Sequence, residues 1–273
     1  MTVLKDYAAV NDLIAVSRDS GRRLTNFFPE ELKVAHWCAT DSFSEKIVGS
    51  TQFLIRRDKR FANLYFLASD VARLEADLKS FLAESKVPRL VVDLVGPDIM
   101  RVPLQGAFTR AGFKKLAELQ RMGRKTPAEA LQSSGDIRIA AKSDIPSIQS
   151  IFCNHFKAEI EQLPIDAELE RWIDRNEILV SRDEANSVSG FVIFDLSVAS
   201  LYLRYWFVDP ICRGKGVGSS LMNAMFHKAQ STKRQYFWVL TDNENAIKRY
   251  LHYGFNFEPM KDVVMALDRP NMV

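Results

Sequence analysis

The chain has 273 residues, 47% of them hydrophobic and 26% charged, a globular composition with enough length for two domains. No run of about 18 apolar residues occurs, so no transmembrane helix is expected. Met1–Tyr7 has no apolar core beside a basic stretch, so no secretory leader is expected either.

The net charge of +3 conceals a split. Residues 1–126 hold 21 basic and 15 acidic side chains (+6), and the remainder holds 16 and 19 (−3). A basic first half suits an anionic partner or a solvated basic surface. No basic run is interleaved with aromatics, so a nucleic-acid partner is not expected.

Taken in chain order, Ile47–Arg56 reads as a strand, Asp58-Lys59-Arg60 as a turn and Phe61–Ala68 as a second strand. Asp70–Ser85 follows with Val71, Leu74, Leu78, Phe81 and Leu82 at helical spacing, then a strand at Arg89–Val95. The polar segment Lys125–Gly135, with Pro127 and Gly135, reads as a linker.

Beyond it, Ile137–Ala141 reads as a strand. Ser143 caps a helix reaching about His155, and Asp166–Arg175 is a second helix. Strands at Glu177–Ser181 and Val188–Leu196 flank the turn Asp183–Asn186, and Leu201–Val208 is a long aromatic strand. A helix at Gly216–Gln230, a strand at Tyr236–Leu240, a helix at Ala246–Tyr253 and a strand at Val263–Leu267 complete a mixed α/β sheet. Phe108–Phe113 parallels Tyr250–Phe255 at an offset of 142, and both Gly-Phe pairs lead into a final strand. This points to an internal repeat of domain size.

Three cysteines (Cys38, Cys153, Cys212) stand far apart without Cys-x-x-Cys spacing, which implies reduced thiols and a cytoplasmic setting. His36, His155, His227 and His252 share no ligand spacing, so no metal is expected. Cys212, beside the loop considered next, reads as filler rather than as a nucleophile.

The chemistry concentrates at Val208–Leu221. A hydrophobic strand ends, Pro210 stops it, and a loop with Gly214, Gly216 and Gly218 opens a helix. Glycines let the backbone approach a ligand, and amides beside a helix N-terminus suit pyrophosphate. Gly214-Lys215 is followed by Gly216 rather than Ser or Thr, which excludes the triphosphate loop. Ser219 and Leu221 stand where the dinucleotide fingerprint requires glycine. What remains is Arg-x-x-Gly-x-Gly, filled by Arg213, Gly216 and Gly218.

About 25 residues later comes Asn243-Glu244-Asn245-Ala246-Ile247-Lys248-Arg249-Tyr250-Leu251-His252-Tyr253-Gly254-Phe255. The two segments together resemble the GCN5-related N-acetyltransferase (GNAT) family over about 130 residues. Asn243, Ala246, Tyr250, Gly254 and Phe255 match every fixed position of its second motif.

The resemblance implies a GNAT fold at 137–273, a degenerate copy at 1–126 and a linker at 127–136. It implies acetyl-CoA as cosubstrate and a primary amine as acceptor. The pyrophosphate would lie on Arg213, Gly214, Lys215, Gly216, Val217, Gly218 and Ser219, and the pantetheine arm against Phe207, Val208 and Asn243. Tyr250 would protonate the departing thiolate.

The family's frequent strand glutamate corresponds to Tyr202, so a base must come from elsewhere, and Glu159, Glu161 and Asp195 are the candidates. Arg204 and Trp206 read as sharing one face of their strand, where they could grip an acidic or planar acceptor. Ala68–Arg73 replaces the glycine loop in the first half, as in the silent half of tandem members of the family.

Three rival readings stay open: a CoA-binding regulatory module, an enzyme using longer acyl-CoA or an acyl carrier protein, and an aminoacyl transferase. The last tends to lose the glycine loop that this chain keeps. A homodimer is left open, and no membrane association is expected.

Overall fold

A computed structural model describes residues 1–28, 30–127 and 137–269. The polar linker read at 127–136 thus lies, apart from Pro127, outside the described residues. Two compact units emerge, residues 1–119 with 259–273, and residues 120–258.

In the first unit, β1 (Thr2–Val3) precedes α1 (Tyr7–Asp19), β2 (Leu24–Thr25) and α2 (Glu31–Ala39). Then come β3 (Phe43–Val48), β4 (Thr51–Arg57), β5 (Ala62–Ala68), α3 (Val71–Glu84), β6 (Arg89–Gly96), α4 (Asp98–Arg110) and the start of β7 (Lys114–Lys125). The second unit continues with β8 (Ile137–Ile139), α5 (Ile145–His155), α6 (Asp166–Asp174), β9 (Ile178–Arg182), β10 (Val188–Leu196) and β11 (Ser200–Val208). It is completed by α7 (Val217–Lys228), β12 (Arg234–Leu240) and α8 (Glu244–His252), before β13 (Asn256–Asp268). Among the described residues, no helix is long and apolar enough to cross a membrane.

The units share one plan. The first has strand order β1-β3-β4-β5-β6-β13, and the second β8-β9-β10-β11-β12-β7. Each is antiparallel except for one parallel pair, β5 with β6 and β11 with β12, where an intervening helix makes the crossover. In the first unit α3 and α4 cover the core of Phe53, Leu64, Leu78, Phe81, Leu90 and Phe108, and α1 and α2 carry the core of Val10, Val34, Trp37 and Tyr65. In the second, α7 and α8 cover one face, and α5 and α6 the other. The repeat suggested by the Gly-Phe pairs is therefore a repeat of the whole sheet.

The units are not the continuous stretches 1–126 and 137–273 read from the sequence. Val263 and Met265 of β13 are buried in the first unit's core, and β13 pairs with β6 from Lys261 opposite Gly96 to Asp268 opposite Arg89. Met122 of β7 is buried in the second unit's core. Each half thus contributes its final strand to the other's sheet. The final strand also begins earlier than Val263–Leu267, because pairing rather than apolar content sets its length.

Other differences are local. One strand was expected at Ile47–Arg56, but Gly49, at φ +55°, turns the chain between β3 and β4 into a hairpin. Helices α1 and α2 were not anticipated. Asp6 starts α1 by accepting the Ala9 amide at 2.8 Å.

Met265→Ala should therefore destabilise the first unit by about 2–5 kcal/mol. Hydrogen exchange should show lost protection in β5 and β6, with β10 and β11 unaffected. Equal loss in both sets would contradict the assignment of β13 to the first unit.

Candidate functional site

The site is organised by a strand that runs out of partners. β11 pairs in parallel with β12 only from Ser200 opposite Arg234 to Leu203 opposite Phe237. Past it, Tyr205–Val208 is paired on the other side with β10, from Tyr205 opposite Ile193 to Val208 opposite Gly190. Beyond Leu203 the β12-facing edge of β11 thus presents main-chain donors and acceptors, the arrangement that accepts an extended ligand as an added strand.

A bulge sits at that divergence. Ile193 faces Tyr205 and Phe194 faces Leu203, so Arg204 is an inserted residue. The insertion breaks the alternation. Arg204 lies over the Tyr202 ring at 4.4 Å and bonds to Asp195, whereas Trp206 packs toward Tyr250, ring centroids 5.7 Å apart. The expectation that Arg204 and Trp206 share a face is thereby corrected, because the one-residue slip puts them on opposite faces.

Past Val208 the chain enters the glycine loop. The Asp209 carboxylate accepts the Ile211 amide at 2.8 Å, and a short 3-10 turn spans Pro210–Cys212. Gly214 and Gly216 take φ of +80° and +83°, a left-handed conformation that costs other residues about 1–2 kcal/mol. Gly216 is the N-cap of α7, whose first backbone bond runs from the Ser220 amide to the Gly216 carbonyl at 3.0 Å. The Val217, Gly218 and Ser219 amides precede that bond and open toward the loop.

Gly218 has a different duty. A Cβ there would stand 2.9 Å from Trp206 Cζ2, so glycine is what lets α7 settle on the strand. Arg213 is exposed, with its Nε donating to the Val208 carbonyl at 3.3 Å, and Lys215 is exposed beside it. Phe207 turns its ring into the α5–α6 core and leaves only its backbone toward the loop side, while Val208 packs on the α7 side.

The second motif forms α8. The Asn243 side chain caps the helix by accepting the Ala246 amide at 3.2 Å. Tyr250 is the buried residue of the helix, wedged among Phe237 (4.0 Å), Trp206 and Phe255. Burial pushes its phenol well above the usual tyrosine range. Arg124 of β7 lies over Phe226 and Phe255, at 4.2 and 4.5 Å, and donates to the Tyr253 carbonyl, which fixes the turn after α8.

The candidate bases separate. Asp195 accepts the Trp172 indole at 2.6 Å and the Arg204 guanidinium, a structural commitment that removes it from the search for a base. Glu161 lies in the turn after α5, where its carboxylate accepts the Lys157 amide at 3.1 Å. Burial pushes this carboxyl up, against the opposing effect of that amide. Tyr205 ties the same turn to β11 by donating to the Gln162 carbonyl at 2.6 Å. Glu159 lies on the same segment, half-buried.

Among its described residues the first unit lacks these features. Asp70 occupies the place of the loop and accepts the Arg73 amide at 2.8 Å, which occupies an amide that a phosphate would need and adds negative charge. Phe108 and Arg101 stand where the offset of 142 places Tyr250 and Asn243.

Residues 145–255 match the model of the acetyltransferase (GNAT) family. This segment is a GNAT domain. Acyl transfer from an acyl-CoA is the chemistry that the family carries.

Solved structures extend the likeness in fold to most of the chain. A tandem GNAT protein from the clavulanic acid biosynthesis pathway is 12% identical, with a TM-score of 0.57, over 95% of this chain and 94% of its own. A GCN5-related N-acetyltransferase from Kribbella flavida is 11% identical, with a TM-score of 0.55, over 95% and 96%. A GNAT-family acetyltransferase from Colwellia psychrerythraea is 13% identical, with a TM-score of 0.55, over 95% and 97%. No curated protein sequence matches the chain.

The two kinds of glycine should respond differently to substitution. Gly218→Ala in the GNAT domain must displace Trp206, an overpacking cost of about 1–3 kcal/mol, and should shift Trp206 fluorescence. Gly214→Ala meets nothing within 4 Å, so it should cost only the backbone strain of about 1–2 kcal/mol and leave the fluorescence unchanged. Urea denaturation and emission spectra of the two variants distinguish the effects.

Proposed function

We propose that the chain transfers an acetyl or other short acyl group from acetyl-CoA to a primary amine by direct attack in a ternary complex. The observation that carries this reading is the open edge of β11 leading straight into the free amides of α7, with Tyr250 on the same face as Trp206. These residues fit an acyl-CoA. The main chain of Phe207 and Val208 would hold the pantetheine arm, with Asn243 nearby. The amides of Gly216–Ser219, with Arg213, Gly214 and Lys215, would hold the pyrophosphate.

Acetyl-CoA supplies a thioester whose leaving thiolate has a pKa near 8.5. A β11 amide past the bulge would donate to the thioester carbonyl, and such donors are typically worth about 10²–10³ in rate. Tyr250 would give its proton to the departing sulfur. Burial keeps that proton in place through the neutral range and disfavours a free phenolate. The phenol would therefore act first as a hydrogen-bond donor, and would give up its proton only as negative charge builds on the departing sulfur. The acceptor amine, near pKa 10.4 if lysine-like, must lose a proton on the opposite side, where Glu161 and Glu159 lie on the segment between α5 and α6. The first unit, with Asp70, Phe108 and Arg101 at the corresponding positions, would bind no CoA.

Calorimetry with acetyl-CoA should therefore give one site per chain, and two sites would refute the silent assignment of the first unit. Tyr250→Phe should lower kcat by about 10²–10⁴ with KM for acetyl-CoA nearly unchanged. A variant retaining more than half of wild-type turnover would remove Tyr250 from the mechanism. Because burial raises the phenol, kcat should show no descending limb from Tyr250 below about pH 10. The acceptor screen for these assays couples thiol release from acetyl-CoA to a panel of primary amines.

A further inference from the structure

The first unit repeats the divergence seen in the second. β5 pairs in parallel with β6 only at Ala62 opposite Leu90 and Asn63 opposite Val91, while its other edge carries β4 from Ala62 to Leu67. The offset of 142 that relates the two Gly-Phe pairs sets Leu64 and Phe66 of β5 against Trp206 and Val208 of β11. In β11 the Asp209 amide donates to the Ser189 carbonyl of β10 at 2.9 Å, so the alternation of the ladder turns the Val208 amide to the open edge. Past Asn63, the β6-facing edge of β5 is the corresponding place for an extended ligand.

That edge is occupied by the chain itself. β2 runs antiparallel along it, with Thr25 opposite Leu67 and Leu24 opposite Ala68. Leu67 also faces Gln52 of β4, so β2 lies on the side away from β4. One residue on, the Asn26 carboxamide fills the gap between the diverging strands. Its Nδ2 donates to the Leu64 carbonyl at 3.1 Å and to the Asp93 carbonyl of β6 at 3.0 Å, and its Oδ1 accepts the Phe66 amide at 2.9 Å. A carboxamide carries the donor and the acceptor of a peptide group. This one buried side chain therefore completes on β5 the bonds that a neighbouring strand would make.

We infer that Leu24–Asn26 is a built-in occupant of the first unit's ligand edge. β2 and the Asn26 carboxamide take the main-chain groups whose counterparts on β11 would receive the amide-bearing pantetheine arm. The identity of the excluded ligand rests on the acyl-CoA reading above, whereas the exclusion itself rests on the bonds of Asn26. It is also separate from the effect of Asp70. The cap on α3 bars an anion from the helix, and Asn26 bars an extended chain from the strand. The first unit is thus closed by an obstruction within its own sheet, in addition to lacking the glycine loop.

The test is amide hydrogen exchange, read by NMR on the assigned full chain with and without CoA. In the free wild type the Phe66 amide should already be protected. CoA should slow the Val208 amide and leave Phe66 unchanged. Asn26→Ala should speed Phe66 exchange at least about fivefold beyond any change at Tyr65, whose amide faces β4. An unprotected Phe66 amide in the free wild type, or one that CoA slows, would overturn the inference, and neither measurement requires the variant to fold. Phe66 exchange that tracks Tyr65 in Asn26→Ala would overturn it as well. No binding of CoA, with Phe66 still dependent on Asn26, would overturn the acyl-CoA reading and leave the closed edge standing.

Discussion

The divergence of β11 from β12 after Leu203 is the constraint on which the rest of the second unit depends. A parallel pair that continued to Val208 would satisfy every main-chain group of β11 and leave no edge for a ligand. The Arg204 bulge stands at the point where pairing ends, and bulges increase local twist and terminate ladders. From that single inserted residue follow the open edge, the turning of Trp206 toward Tyr250 and the diversion of Arg204 to Asp195. Asp195 in turn holds the Trp172 indole and so ties α6 to the sheet.

Two kinds of glycine then build the loop. Gly214 and Gly216 supply a backbone conformation, and Gly218 supplies an absence of side chain. The first kind aims the amides, while the second sets the distance between α7 and β11. In the first unit Asp70 replaces this arrangement with a conventional side-chain cap. The helix α3 is thereby well started, and its first-turn amides are no longer all open to an anion. One sheet plan thus appears twice, once opening into a glycine loop and once closed by a side-chain cap.

Much of this was legible in the sequence because it resides in local pattern. The glycine loop, the Asn243–Phe255 helix and the apolar faces of α3 and α7 depend on spacing within a few turns. The Arg204 bulge was not legible, since a one-residue insertion leaves the composition of an aromatic strand unchanged. The hairpin of β3 and β4 turned on Gly49, a signal present but masked by the apolar Ile47-Val48 beside it. Val10, Leu13 and Ile14 behind the Asp6 cap could have revealed α1. The destination of β13 could not be read at all, because Val263–Leu267 states that a strand forms and is silent about which sheet receives it.

The exchange of final strands also has a consequence for biosynthesis. Residues 1–119 leave the ribosome first, but their sheet lacks β13 until residues up to Asp268 have been made. At about 5–20 residues per second, the intervening 120–258 takes on the order of ten seconds to synthesise. Throughout that interval β6, reading Arg89-Leu90-Val91-Val92-Asp93-Leu94-Val95-Gly96, has one edge unpaired. An apolar strand edge of this kind is a template for association with other chains. Vectorial folding, which ordinarily protects an N-terminal domain by letting it close early, is denied to this one. The nascent first unit must wait, open at β6, until β13 has been made.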